Sequence, residues 1–297
     1  MSKKSLRDLI EEEFDTNSTQ LPVFNLVALK LQELKNSKQI TLQQFTDLIM
    51  CDPALAVRIL QTANSAFYGG LKQVTTILGA VQRLGMSRVA SLAMVASQLL
   101  VHTAKLKMVS GYMPDLWRHS LLTATGMQWL APHVGYANQT EEAFLCGLLH
   151  NIGKLFLLKA LDAAATNENY QIKLTDALIE EVLTSMHTDI GYRLMIKWEL
   201  PDMYATVARD HHNEEIDESN TLLVMVRLIN VIHHKLGVGQ PAEPNIVLAA
   251  TSESQILGIK EIRLAQLEVM LEDAVTRLDT NEFLTDNQEI TPMLHLM

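Results

Sequence analysis

Apolar positions recur three and four residues apart along most of the chain, the spacing that gathers side chains on one face of a helix. Ser5 to about Phe14 reads as a short acidic helix around Glu11, Glu12 and Glu13, able to dock on its own chain or on a second subunit. A polar break, Asp15 to Gln20, leads to Leu21-Pro22, where the first domain begins. Val23, Leu26, Val27, Leu29, Leu31 and Leu34 form the next helical pattern, and Thr41 is placed to cap a helix carrying Leu42, Phe45, Leu48 and Ile49. Asp52-Pro53 offers a cap oxygen and a first-turn proline to a helix from about Pro53 to Ala63, which Asn64 to Gly70 ends. Two further patterns, about Val74 to Leu84 and Ser87 to Lys105, are divided by Gly85, a residue suited to the backbone of a helix end.

In the second half Tyr112 opens the helix of Trp117, and a single helix is predicted from about Thr140 to Leu161. Leu174 to Met186, Thr188 to Glu199 and Pro201 to His212 follow as three separate helices. A last pair, about Ser219 to Lys235 and Lys260 to Leu278, precedes a polar tail in which Met293-Leu294-His295-Leu296 could dock. The predicted fold class is all-α, two packed helical subdomains, divided as a helix at 1–20, subdomains at 21–110 and 111–240, and an extension at 241–297. No internal repeat or low-complexity tract is present.

Composition sharpens this. A 297-residue chain with 48% hydrophobic residues can bury one large core or two moderate ones, and its few glycines and prolines favour long helices joined by short turns. A net charge of −10 works against wrapping DNA or lying on an anionic membrane, because both need basic surface. Cys51 and Cys146 stand alone in apolar sequence, which fits free thiols in a reducing cytoplasm better than a disulfide or a zinc site. Lys3-Lys4 lead into Glu11-Glu12-Glu13 and not into an apolar stretch, so secretion is not expected. The segment Val89 to Val101, taken as the most apolar, is shorter than the roughly 20 residues of a membrane span and is interrupted by Ser91, Ser97 and Gln98. The expected location is cytoplasmic.

Five of the ten histidines carry the chemistry: His119 in Trp117-Arg118-His119-Ser120, His150 in Leu149-His150-Asn151-Ile152-Gly153-Lys154, His187 ahead of Gly191, and the pair His211-His212. Imidazoles from several helices are how a helical bundle builds a divalent-metal or phosphate-handling pocket, with carboxylates balancing the cation charge. Adjacent residues on a helix point about 100° apart, so His211 and His212 can share a ligand only where the helix ends or bends. His233-His234 read as a helix surface. Lys154 reads equally as a phosphate contact and as an exposed lysine after a helix.

Two other patterns lead nowhere. Gly147 to Gly153 has five residues between its glycines where a P-loop needs four, and Leu155 stands where that motif needs Ser or Thr. The helices around Asp52-Pro53 offer a phosphate backbone only Arg58.

Asp52-Pro53-Ala54-Leu55, Arg58, Ile59-Leu60, Ala63-Asn64-Ser65-Ala66-Phe67-Tyr68-Gly69, Ala80-Val81 and Leu84-Gly85 together resemble the HDOD domain. The resemblance spans about Leu21 to Lys235 and implies an HDOD bundle followed by an HD-like bundle. It also implies a bacterial signalling module related to HD and HD-GYP phosphohydrolases, with a regulatory role and no established catalysis. Members often adjoin receiver, GGDEF or EAL modules; this chain has no room for one, so signalling proteins are the expected partners.

On the metal pattern of those relatives, His119 matches the early ligand, His150 the HD histidine, His187 the next and His211-His212 the late pair. Asn151 stands in place of the HD aspartate, and Asn230 matches the closing aspartate by position. A carboxamide is neutral and offers one weak oxygen ligand, whereas a carboxylate can bridge two cations.

The ligand pocket is therefore expected at His119, His150, Asn151, Lys154, His187, His211, His212 and Asn230, with the five histidines as candidate ligands of iron, zinc or manganese. No residue is assigned as catalytic beyond Lys154 as a candidate. The leading expectation is a regulatory module with a degenerate pocket. The alternative is a metal-dependent phosphohydrolase acting on a nucleotide or cyclic dinucleotide, with Lys154 steadying the phosphate. A third is a pocket that holds a phosphorylated small molecule without turnover. Asn64, Phe67 and Tyr68 read either as a cap with a core anchor or as a contact between domains, and no pattern fixes an oligomeric state.

Overall fold

Local capping chemistry decides several of the helix starts in the computed structural model, which describes residues 5–17, 26–35, 40–65, 68, 73–99, 102–167, 170 and 172–279. Among these residues there are fourteen α-helices and no strand. In chain order they are α1 (Leu6–Asn17), α2 (Leu26–Leu34), α3 (Leu42–Met50), α4 (Pro53–Ala63), α5 (Ile77–Leu84), α6 (Met86–Leu99) and α7 (Lys107–Leu130). Then come α8 (Thr140–Leu149), α9 (Ile152–Thr166), α10 (Asp176–Lys197), α11 (Asp202–Asp210), α12 (Thr221–Leu236), α13 (Ser252–Ile256) and α14 (Glu261–Asp279). The described residues divide into two compact units, one drawn from 1–21 and 102–272, the other from 22–101 and 273–279.

In the unit of α2 to α6, Thr41 accepts the Gln44 N–H while the Gln44 side chain accepts the Thr41 N–H, a complete capping box. Asp52 accepts the Leu55 N–H, and Pro53 takes the first helical position, where its missing N–H leaves nothing unpaired. Thr76 caps Gly79, which is why α5 starts at Ile77 and not at Val74. Asn64 ends α4 and clamps the following loop: its Nδ2 donates to the Val74 carbonyl and its Oδ1 accepts the Val74 N–H, both at 2.7 Å. That clamp supports the cap reading of Asn64; Phe67 lies outside the described residues, as do Val23 and 293–296.

The other unit carries the histidines. Helix α1 docks on it in cis, burying Leu9, Ile10 and Phe14, with the Phe14 ring edge-on to Phe156 at 5.6 Å. Each such side chain contributes about 1.5–3 kcal/mol. Arg193 fastens the helix by a two-pronged contact to Glu11, at 2.8 and 3.1 Å, and lies over the Phe14 ring.

Three further element boundaries differ from the sequence expectation. Residues 103–106 are not helical, because the buried Asp162 carboxylate accepts the N–H groups of Lys105 and Leu106, and α7 starts at Lys107. The single helix expected from Thr140 to Leu161 is two, α8 and α9, broken at His150-Asn151. The two helices expected around His187 are one, α10, because no glycine, proline or cap interrupts it there and His187 bonds within the helix. Among the described residues, Ala137–Thr166 is the apolar stretch long enough to cross a membrane, and 89% of its apolar window is buried inside the protein, where it forms core.

Glycines set how closely the helices approach at the break. A Cβ on Gly153 would collide with the His187 carbonyl oxygen, and one on Gly147 would come within 2.8 Å of Ala124 and Thr123 backbone atoms. The start of α9 therefore lies directly against the middle of α10, and the end of α8 against α7.

Candidate functional site

Breaking the chain at His150-Asn151 turns both side chains into the interior. Residues 150 and 151 are 1% and 3% exposed. His187 on α10 and His211, the residue that ends α11, are also buried, while His212 in the turn beyond is exposed. The helix end lets the adjacent pair act together: the His211 and His212 rings lie 4.2 Å apart, and each also contacts His187, at 5.4 and 5.1 Å. His119, on α7, stands 3.3 Å from His150 between their Nε2 atoms. The structure thus brings His119, His150, Asn151, His187, His211 and His212 to one place. A cavity of about 260 Å³ beside them is also lined by Lys154, Asn230, Tyr112, Glu180, Asp115 and His234.

His233 corrects the expectation of a helix surface. It is fully buried, and its Nδ1 lies 3.2 Å from His119 Nδ1; only His234 is exposed. Positions 222, 226, 229 and 233 share the inward stripe of α12, a signal present in the sequence and masked by the polar His-His pair.

The hydrogen bonds fix one set of neutral tautomers. His150 Nδ1 donates to the Gly147 carbonyl at 2.7 Å, which leaves its Nε2 as an acceptor. Asn151 Nδ2 donates to that nitrogen at 2.8 Å. His119 then donates from Nε2 to His150 and accepts at Nδ1 from His233 Nδ1. His187 and His211 donate from Nδ1 to carbonyls of their own helices, Leu183 for the first, Val207 and Ala208 for the second. In each the Nε2 lone pair points elsewhere.

Two halves result. His119, His150, His233 and the Asn151 amide are tied to one another. Around the pocket five buried acceptors have no hydrogen-bond donor: Asn151 Oδ1, His187 Nε2, His211 Nε2, Asn230 Oδ1 and His233 Nε2. Buried acceptors without donors are costly, and a cation or a donor-bearing ligand answers that need.

The electrostatics agree. Burial, then repulsion from the charged form of a neighbouring imidazole, holds His119, His150 and His211 well below the ordinary imidazole value, the neighbours being His233, His119 and His150 respectively. Burial and Lys154 push His187 to about 3 and His212 to about 4; burial and His234 push His233 to about 3. Burial also lowers Lys154, against the opposing charge of Glu180.

A pH prediction follows. The folded state keeps His233 neutral down to about pH 3, whereas the unfolded chain protonates it near 6.5. The unfolded state binds more protons in that window, so stability falls as pH drops, by about 2 kcal/mol between pH 7 and 5 for this one ring. His233→Asn keeps a donor toward His119 and removes the titration. Denaturant unfolding at the two pH values should show a loss smaller by about that amount in the variant; an equal loss in both proteins would show that His233 does not carry it.

Among the described residues, His187, His211 and His212 form the group of three possible metal-ligating side chains, with ligand atoms all within 4.8 Å of one another. Its donors are all imidazole nitrogen, a set suited to zinc or iron and poor for magnesium. The backbone bonds at the Nδ1 atoms of His187 and His211 hold those rings as carbonyl partners hold metal-ligating histidines. No carboxylate belongs to the group; Asp115 and Glu180 line the cavity and are exposed.

Residues 21–214 match the HDOD domain family. A protein of Treponema pallidum (strain Nichols), uncharacterized, is 27% identical over 194 residues, 62% of this chain and 36% of its own length, so the match spans about a third of that relative. The fold matches an HDOD domain protein of unknown function from Geobacter sulfurreducens, with TM-score 0.69, 20% identity and coverage of 95% of this chain and 98% of that one. It also matches a Marinobacter aquaeolei VT8 protein provisionally named for signal transduction, with TM-score 0.64, 22% identity and coverage of 98% and 66%. A Shewanella amazonensis SB2B protein provisionally named a phosphohydrolase gives TM-score 0.61, 22% identity and 97% coverage of both chains.

Proposed function

Because the chain belongs to the HDOD domain family, we propose that it is a regulatory module of signal transduction, binding through its imidazole pocket without hydrolysing phosphate esters. One observation carries this reading: the Asn151 amide N–H is spent on His150 Nε2, where an HD-type centre needs an anionic oxygen between two cations. In the half of the pocket that would hold a second cation, the ring nitrogens of His119 and His150 are taken up by neutral hydrogen bonds. The open half, His187, His211 and His212, suits one divalent ion, zinc or iron, whose role here is to brace the turn after α11. The module acts on signalling proteins in the cytoplasm, where the buried Cys146 and exposed Cys51 remain free thiols.

The test is metal content and turnover on the same preparations, purified without chelator from cells supplied with iron, manganese and zinc. Wild type is expected to hold about one ion per chain and His187→Ala/His211→Ala none, with no hydrolysis of cyclic dinucleotides or nucleotides by either. Turnover at enzymatic rates that disappears in the double variant would overturn the regulatory reading.

A second reading has its own support. Three nitrogen ligands are what the protein supplies to many open catalytic sites, and Lys154 lines the cavity that His212 also lines. A divalent cation held there would supply Lewis acidity toward a phosphoryl oxygen. Lys154 would steady the phosphate, and the closed half would keep the neighbouring rings neutral. On this reading Asn151→Asp raises a measurable activity; on the first it creates none.

A further inference from the structure

The turn that presents His212 is held from a part of the chain beyond residue 214, where the family match ends. Helix α11 stops at Asp210, so the carbonyls that follow have no later helical N–H to satisfy them. Arg227 on α12 supplies the donor: its Nη1 lies 2.6 Å from the Asn213 carbonyl oxygen and 3.4 Å from that of His211. The guanidinium is itself fixed, because its Nε donates to Glu253 Oε1 at 3.1 Å, in a pair whose side chains are 16% and 10% exposed. Glu253 sits in the first turn of α13, which Thr251 caps by accepting the Ser254 N–H. One planar fork thus joins α13, α12 and the histidine turn.

We propose that Arg227, anchored by Glu253, is a positioning residue for His211 and His212. Its importance to the pocket rests on the single-ion reading above, since ligand nitrogens must be set to within about 0.2 Å of their metal distance. A guanidinium reaches three partners in fixed directions, and an ammonium cannot, so Arg227→Lys keeps the charge and loses the grip. Partners one step behind the ligands typically govern metal affinity by about 10–100-fold.

The experiment compares wild type, Arg227→Lys, Glu253→Gln and, as control, Glu268→Gln, which removes the partner of Lys235 on the same helix α12. Histidine ring nitrogens are observed by NMR in the metal-free proteins, and zinc is then titrated against a competing chelator. In Arg227→Lys the His211 and His212 signals should move while those of His119, His150 and His233 stay, and zinc affinity should fall about 10–100-fold. Glu253→Gln keeps an acceptor of the same shape and should show a smaller change of the same kind, and Glu268→Gln none.

Unmoved His211 and His212 signals in Arg227→Lys, joint movement of every ring, or the same pattern in the control would overturn the positioning role. Selective ring movement in Arg227→Lys, together with a wild type that takes up no zinc, would uphold that role and remove the single-ion reading instead.

Discussion

Replacing Asn151 by Asp is expected to destabilise the metal-free protein by about 3 kcal/mol or more at pH 8, and zinc is expected to restore most of that loss. The reason lies in one short contact. The Asn151 amide donates to a His150 lone pair at 2.8 Å, in a place only 3% exposed, and His150 cannot switch tautomer without giving up its bond to the Gly147 carbonyl. An aspartate sets an anionic oxygen against that lone pair. Relief requires either a proton on His150, which burial and the neighbouring His119 and Lys154 oppose, or a cation between the two groups. Wild type has no such charge at 151, so its zinc response should come from the His187 group alone and be the smaller of the two. Denaturant midpoints for both proteins, in chelator and in zinc, check this. A variant as stable as wild type in chelator would show that Asn151 does not close the second half of the pocket.

How far the sequence spoke for itself depended on how local the physics was. Thr41, Asp52 and Thr76 act within three residues of themselves, and two of these starts were legible as patterns; the third was missed because Val74 extended the apolar run. The exchange of carboxylate for carboxamide at 151 was legible because it stands inside a recognisable motif. The break between α8 and α9 was not, since Gly147 and Gly153 are read as packing glycines only once Ala124 and His187 lie against them. His187 looked like a helix boundary because it is polar, yet its Nδ1 bonds four residues back and the ring faces the interior. His233 was outweighed by its exposed neighbour. The tie from Glu253 through Arg227 to Asn213 joins residues 26 and 14 apart, and no local pattern announces it.

The second large effect is expected at Gly153. Alanine in place of glycine in an exposed helix gains roughly 0.5–1 kcal/mol from backbone entropy, and propensity alone would make Gly153→Ala stabilising. Packing reverses the sign. The new methyl group would meet the His187 carbonyl oxygen inside contact distance, with the His187 carbonyl carbon at 2.9 Å and the Gly191 nitrogen at 2.8 Å, all main-chain atoms of α10 that cannot rotate away. Helices α9 and α10 would have to part, and overpacking of this backbone-on-backbone kind should cost about 3 kcal/mol or more, at the upper end for single substitutions. Because His187 itself is the residue struck, the parted helices would also spread the three imidazoles and weaken zinc uptake. Gly111→Ala is the matched control: it lies in α7 with nothing near the added carbon, so it should be neutral or stabilising. Opposite signs for the two variants in denaturant unfolding would establish that contact between α9 and α10 holds His187 in place; equal stability would show that the helices meet less closely than the structure has them.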